Sequence, residues 1–180
     1  MRRSRVLRDG ALYHVCARVV GKLRLLEDET TKRLFMETVA RARRKYDFRI
    51  ETFTVMGNHV HLLIRPGSGE CLSRIMQWIL GVFAMSLNRR TGWWGHVWGD
   101  RFMSWIVDGF RALVDLFAYI DANPVRAGLV VQPREWAASA LAQRRRGLCD
   151  IAGPIGEALA LLFPAHAVAL LDGRSQRSRP

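Results

Sequence analysis

Two short runs rich in β-branched and aromatic residues, Phe48 to Val55 and His59 to Arg65, are separated by little more than Gly57-Asn58. A connection that short admits only neighbouring, antiparallel strands. Asn-Gly is the commoner order in a two-residue turn, so Gly-Asn is the weaker form of the signal. Side-chain alternation then divides the second strand. Val60, Leu62 and Ile64 belong to a core face, and His59 and His61 share the opposite one.

The elements around this hairpin complete a pattern. Leu12 to Val20 reads as a strand ending at Gly21. Asp28 to Tyr46 carries Leu34, Phe35, Thr38, Val39 and Ala42 at helical spacing. Pro66, Gly67 and Gly69 stop the hairpin's second strand. Cys71 to Thr91 then forms a helix with the stripe Leu72, Ile75, Met76, Ile79, Leu80, Phe83 and Leu87, closed by Gly92. Trp93 to Asp100 reads as a loop and Arg101 to Asp108 as a fourth strand. Phe110 to Ala122 is a third helix, expected to stop before Pro124 because the residue preceding proline is driven out of helical geometry. Helical pieces and a basic, disordered tail from Arg174 to Pro180 are expected beyond Trp136. The order strand, helix, strand, strand, helix, strand predicts an α+β, ferredoxin-like split β-α-β fold with an antiparallel four-stranded sheet. One domain, residues 1–135, carries it, and residues 136–180 form a C-terminal helical extension.

The charge narrows the partners. The net charge is +12, and of 28 basic residues only Lys22, Lys32 and Lys45 are lysines. Arginine's planar fork suits phosphate oxygens, so a polyanion such as nucleic acid is the expected partner. Cys16, Cys71 and Cys149 are too few and too scattered for a disulfide framework. No secretory signal or membrane span is legible, since Pro164 and His166 break the longest apolar stretch. The expected home is the cytoplasm.

The chemistry begins with His59-Val60-His61. Residues two apart on a strand project the same way, roughly 6–7 Å apart, which is close enough to share a metal. A lone histidine on such a strand would read as a satisfied core residue. Two of them, alternating with core positions in a basic protein, favour a metal or phosphate role. On the third helix Leu113, Leu116, Phe117 and Ile120 form the apolar stripe. Arg111, Asp115, Tyr119 and Asn123 form a separate row at four-residue spacing. Tyr119 therefore stands at the stripe's edge, either as a structural tyrosine with its hydroxyl outward or as a nucleophile. Asn123 is either a helix terminator or an oxygen ligand completing a His-His-Asn set. Such a mixed site suits Mg²⁺ or Mn²⁺ bound together with a substrate phosphate. A phenol with a pKa of about 10 is a weak nucleophile, but beside a metal-bound phosphate it can attack phosphorus and conserve the bond energy as a phosphotyrosine.

Several segments occur in order: Tyr13-His14-Val15, Met56-Gly57-Asn58-His59-Val60-His61-Leu62-Leu63, Met76-Gln77-Trp78, Asn88-Arg89-Arg90, His96-Val97-Trp98-Gly99-Asp100-Arg101-Phe102, and the run from Tyr119 through Asn123-Pro124 to Val130. Together, over about residues 10–140, they resemble the REP-associated tyrosine transposases. These belong to the single-tyrosine branch of the His-hydrophobic-His endonucleases, with the insertion-sequence transposases. The resemblance implies a metal pair at His59 and His61, a nucleophile at Tyr119 and a third ligand at Asn123. It further implies action on single-stranded DNA folded into REP-type hairpins, through a 5′-phosphotyrosine and a free 3′-hydroxyl. The REP-associated branch acts as a monomer, whereas insertion-sequence relatives pair as homodimers. Two departures stand out. Gly57 replaces a usual proline, and Asp121 places a carboxylate where it either repels a phosphate or faces away.

Candidate DNA contacts are Arg5, Arg8, Arg41, Arg44, Arg89, Arg90, Arg101 and Arg126, with Arg43, Lys45 and Arg144 to Arg146 nearby in sequence. Trp93, Trp94 and Trp98, interleaved with His96, either stack on unpaired bases or cap the core. Trp78 and Trp105 read as core. Two rival readings remain: a catalytically idle single-strand-binding module, and a metal-dependent nuclease with water as nucleophile.

Overall fold

The computed structural model describes residues 8–166. Strands β1 (Tyr13–Arg18), β2 (Phe48–Val55), β3 (His59–Pro66) and β4 (Met103–Ile106) form one sheet in the order β2-β3-β1-β4, with every pairing antiparallel. Helices α1 (Glu29–Arg43) and α2 (Leu72–Thr91) occupy the two crossovers, which is the ferredoxin-like arrangement the element order predicts.

The two faces of the sheet are covered differently. Val15, Ala17, Val60, Leu62 and Ile64 form one continuous core with Phe35 and Val39 of α1 and Ile75, Ile79 and Phe83 of α2. The other face receives helix α3 (Gly109–Arg126), whose Phe117 and Ile120 bury against Leu63 and Leu12. Because α3 packs chiefly on β2 and β3, the half of this face over β1 and β4 stays more open.

Local chemistry sets the boundaries. Asp28 caps α1, its carboxylate accepting the Thr31 N–H at 2.8 Å. Gly92 closes α2 at φ 71°. The Gly57-Asn58 turn links β2 to β3 directly, with Met56 N–H donating to His59 O at 2.9 Å. A Cβ at position 57 would meet the Glu27 carboxylate at 2.1 Å, so the glycine makes room for that side chain.

Several element boundaries differ from expectation, and β1 is trimmed to Tyr13–Arg18. β4 is shorter than Arg101 to Asp108, because the loop before it already occupies the end of β1: Gly99 N–H donates to Arg18 O at 3.0 Å and Val20 N–H to Val97 O at 2.9 Å. α1 stops at Arg43, short of Tyr46. Helix α3 does not stop before Pro124 but continues to Arg126. Proline removes one donor, yet Phe117, Ile120, Asn123 and Pro124 are buried and hold the last turn in place. The helix ends instead at Gly128, at φ 67°, where Gly128 N–H bonds Val125 O and Leu129 N–H bonds Pro124 O.

The chain beyond α3 covers the free edge of β2. Val55 N–H donates to Ala138 O at 2.9 Å, and bridges join Thr54 to Ser139 and Ile50 to Ala152. Two short helices follow, α4 (Ala140–Arg145) and α5 (Glu157–Leu162). The expected tail from Arg174 lies outside the described residues, as does Arg5.

Candidate active site

Strand register brings the site together. Arg18 pairs with His59, Cys16 with His61, and His14 lies between Leu63 on β3 and Trp105 on β4. Residues directly opposite in a ladder share a face. His14, Cys16, Arg18, His59, His61 and Trp105 therefore all lie on the side that α3 partly covers.

The imidazoles of His59 and His61 meet edge to face, with centroids 4.9 Å apart. Each has its Nδ1 occupied. His59 Nδ1 lies 2.7 Å from Asn58 Oδ1, and His61 Nδ1 lies 2.9 Å from His14 Nε2. Asn58 Oδ1 accepts, so His59 carries its proton on Nδ1 and keeps a lone pair on Nε2. His61 likewise has Nε2 as its unengaged nitrogen. Burial lowers the pKa of His14, His59 and His61. For His61, burial together with the charges of His59, His14 and Arg18 brings the value down to about 3. All three rings are neutral near pH 7, the form in which an imidazole binds metal.

Helix α3 supplies the remaining groups. The Tyr119 ring stands edge-on to His61, centroids 5.6 Å apart, and to His14 at 6.3 Å. It is 37% exposed, so one side of it faces solvent. Asn123, one turn on and buried, has its side chain beside the His59 ring. Among the described residues no three His, Cys, Asp or Glu side chains are arranged to hold a metal. The Asn123 amide oxygen is a further donor beside the two imidazoles, and such a set would leave positions for phosphate oxygens. The residues present fit such a site.

A scan of protein families matches residues 8–123 to the IS200-like transposases. The chain belongs to the IS200-like transposase family. A search of curated proteins found no match. Among solved structures, a REP-associated tyrosine transposase bound to a REP hairpin is similar, with a TM-score of 0.70 and 22% identity over 87% of this chain and 94% of that one. A Deinococcus radiodurans protein described as a transposase aligns with a TM-score of 0.48 and 18% identity, over 66% of this chain and 95% of that one.

For this IS200-like transposase, the predicted site residues fall into three groups. His59, His61, Tyr119 and Asn123 converge, and Arg126 joins them with its guanidinium 5.5 Å from the centre of the Tyr119 ring. Arg41 lies on α1, Arg44 just past its end, and Arg89 and Arg90 on α2, the helices of the opposite face. Arg41 packs over Trp78 at 5.8 Å, and Arg90 donates to Thr30 O at 3.4 Å. Trp94, His96 and Arg101 are exposed in the loop before β4, while Arg8 is paired at 2.8 Å with Asp108, the residue preceding α3.

Trp98 caps the core, its indole N–H donating to Leu80 O at 2.9 Å and its rings against Phe35 and Phe83. Trp105 does not belong to the core. It is 51% exposed, because β4 is an edge strand and α3 does not cover it.

Asp121 faces away from His59 and His61. Its carboxylate accepts from Thr52 Oγ1 at 3.0 Å and contacts His166 Nε2. His166 Nδ1 is 2.8 Å from the buried Arg144, which also donates to Glu51 O at 2.6 Å and Gly153 O at 2.9 Å. A guanidinium only donates, so His166 accepts from it at Nδ1 and gives its Nε2 proton to Asp121. Burial pulls the Arg144 pKa down to about 10, which still leaves it charged at neutral pH.

The motif reading passed over His14 and Arg18 as site residues. Alternation puts both on one face of the first strand, two residues either side of Cys16, but only the pairing of Cys16 with His61 and of Arg18 with His59 brings that face to the site.

Proposed function

We propose that this IS200-like transposase cuts and rejoins single-stranded DNA beside a REP-type hairpin, with Tyr119 as nucleophile. The observation that carries this reading is the seating of the Tyr119 ring against His61, with His59 beside it and Asn123 one turn further along α3. His59 and His61, through Nε2, and the Asn123 amide would hold Mg²⁺ or Mn²⁺. That ion supplies charge neutralisation for the nonbridging phosphate oxygens and a template for the scissile group.

The chain's own residues do the rest. Tyr119 is fixed by His14 and His61, leaving its open side to a phosphate. Oη forms a bond to phosphorus as the P–O3′ bond breaks. In sum the phenolic proton ends on the departing 3′-oxygen, and the 5′-phosphate stays on Tyr119. Arg126, over the ring, and the exposed Arg18 beside His59 are placed to offset phosphate charge. Rejoining is the same exchange in reverse with another 3′-hydroxyl.

The hairpin preference draws support from the ordered motifs and from the likeness to a transposase solved with a REP hairpin. Residues 1–135 would form the catalytic domain, with the segment from 136 bracing β2 and α3. No helix among the described residues is long and apolar enough to cross a membrane, and we place the activity in the cytoplasm as monomer or homodimer.

Labelled hairpin DNA with a single-stranded flank, incubated with the protein and Mn²⁺, tests the reading. A denaturation-resistant adduct that disappears in Tyr119→Phe and on chelation is expected. Cleavage that persists in Tyr119→Phe assigns the nucleophile to water, and binding without cleavage assigns an idle module.

A further inference from the structure

The mechanism leaves one large side chain beside the reacting groups unused. Trp105 stands on the edge strand β4, directly opposite His14 in the ladder, and half of it is open to solvent. Its ring stacks on His14, with centroids 5.5 Å apart and planes 29° apart. His14 in turn stacks on His61 at 5.1 Å and meets the edge of Tyr119 at 6.3 Å. Trp105 is thus separated from the proposed nucleophile by a single intervening ring.

This is an unusual place to leave indole surface in water. Among the described residues the edge strand has no neighbour beyond it in the sheet, and α3 packs chiefly on β2 and β3. Met103, two residues earlier on the same face, is also exposed, as is Arg18 at the far end of β1. The open half of the face therefore offers an aromatic plane, an adjacent apolar side chain and a guanidinium, next to groups arranged for a phosphodiester. An unpaired nucleotide presents the complementary chemistry, a π-face and a phosphate. A duplex base pair does not, because both of its faces are already stacked.

We infer that Trp105 is the stacking platform for an unpaired base one or two nucleotides from the scissile phosphate, and that it positions the strand for attack by Tyr119. The inference rests on the proposed reaction. It adds the seat of the strand beside the reacting phosphate and a reason for single-strand preference.

The test is a binding cycle. Full-length protein carrying Tyr119→Phe, so that no strand is joined to it during titration, is titrated with a fluorescent hairpin bearing a single-stranded flank, with Mn²⁺ present. Trp105→Ala should weaken binding by about 5- to 150-fold, the range for loss of one base–aromatic stack, and Trp105→Phe should recover most of it. An abasic nucleotide at one flank position should weaken binding to Trp105 protein by a similar factor and cost almost nothing further in Trp105→Ala. A structural role for Trp105 cannot produce that position-specific coupling. Thermal melting of each variant confirms that the fold is retained. Unchanged affinity in Trp105→Ala, or losses that multiply at every abasic position, would overturn the platform. Adduct formation by the wild-type protein separates the two claims: an adduct together with an indifferent Trp105 rejects the platform alone, whereas absence of both adduct and flank binding rejects the reaction and the platform with it.

Discussion

His14 Nε2 lies 2.9 Å from His61 Nδ1, a bond that ties β1 to β3 across 47 residues of sequence. With Nδ1 engaged, His61 presents Nε2, the same nitrogen His59 presents after Asn58 takes its Nδ1. An outer partner that fixes tautomer and ring orientation is a common feature of metal-binding histidines, and its removal weakens metal affinity about 10- to 100-fold. His14→Ala should lower Mn²⁺ affinity within that range in protein that thermal melting shows to be folded. Calorimetric Mn²⁺ titration checks this, and an unaltered affinity contradicts the assignment.

Acid should destabilise the metal-free protein earlier than its carboxylates require. The folded-state pKa of His61 is held at about 3, and those of His59 and His14 are also lowered from 6.5. Above pH 6.5 these rings are neutral in both folded and unfolded chains and contribute no pH dependence. Below it the unfolded chain takes up protons that the folded chain refuses. Stability should then fall by up to about 1.4 kcal/mol per pH unit for each such ring. For His61 the window runs from 6.5 down to about 3. Urea unfolding in EDTA at pH 7 and pH 5 should show the drop, and His61→Asn should reduce its slope.

Asp121, His166 and Arg144 should behave as one unit. Removing the cation leaves Asp121 buried with a weakened partner and frees the carbonyls of Glu51 and Gly153. Breaking a buried pair typically costs 3–5 kcal/mol, so Arg144→Leu should lower stability by roughly that amount in urea unfolding. Asp121→Ala combined with Arg144→Leu should cost less than the two losses added together.

The tryptophans of the loop before β4 should separate cleanly. Trp94 is 98% exposed, whereas Trp98 packs on Phe35 and Phe83. Trp94→Ala should change stability by less than about 0.5 kcal/mol, and Trp98→Ala should cost about 3 kcal/mol or more. Any loss of single-strand binding in Trp94→Ala would then be read without a folding correction.

Strand and helix order were legible because period-2 and period-3.6 patterns are properties of the chain itself. His59 and His61 could be assigned to one face for the same reason. What the pattern could not contain is lateral register. Only the pairing of Cys16 with His61, and of His14 with both Leu63 and Trp105, shows that His14 completes the histidine cluster and that Trp105 borders it. Trp105 read as core because apolar content on a strand does not reveal an edge, nor which half of a face a later helix covers. Pro124 misled for a related reason: local preference ends a helix there, while burial of Ile120, Asn123 and Pro124 carries it one turn further. Asp121 was ambiguous until its partner His166, 45 residues away, fixed its direction.

The central claim is that the phenol of Tyr119 becomes the covalent carrier of the cut strand. Mass spectrometry of the protein after reaction with hairpin DNA and Mn²⁺, followed by nuclease trimming and trypsin, tests it directly. A nucleotide 5′-phosphate mass is expected on peptide 112–126, localised to Tyr119. Cleaved DNA with that peptide unmodified, or with the added mass on another residue, would contradict it.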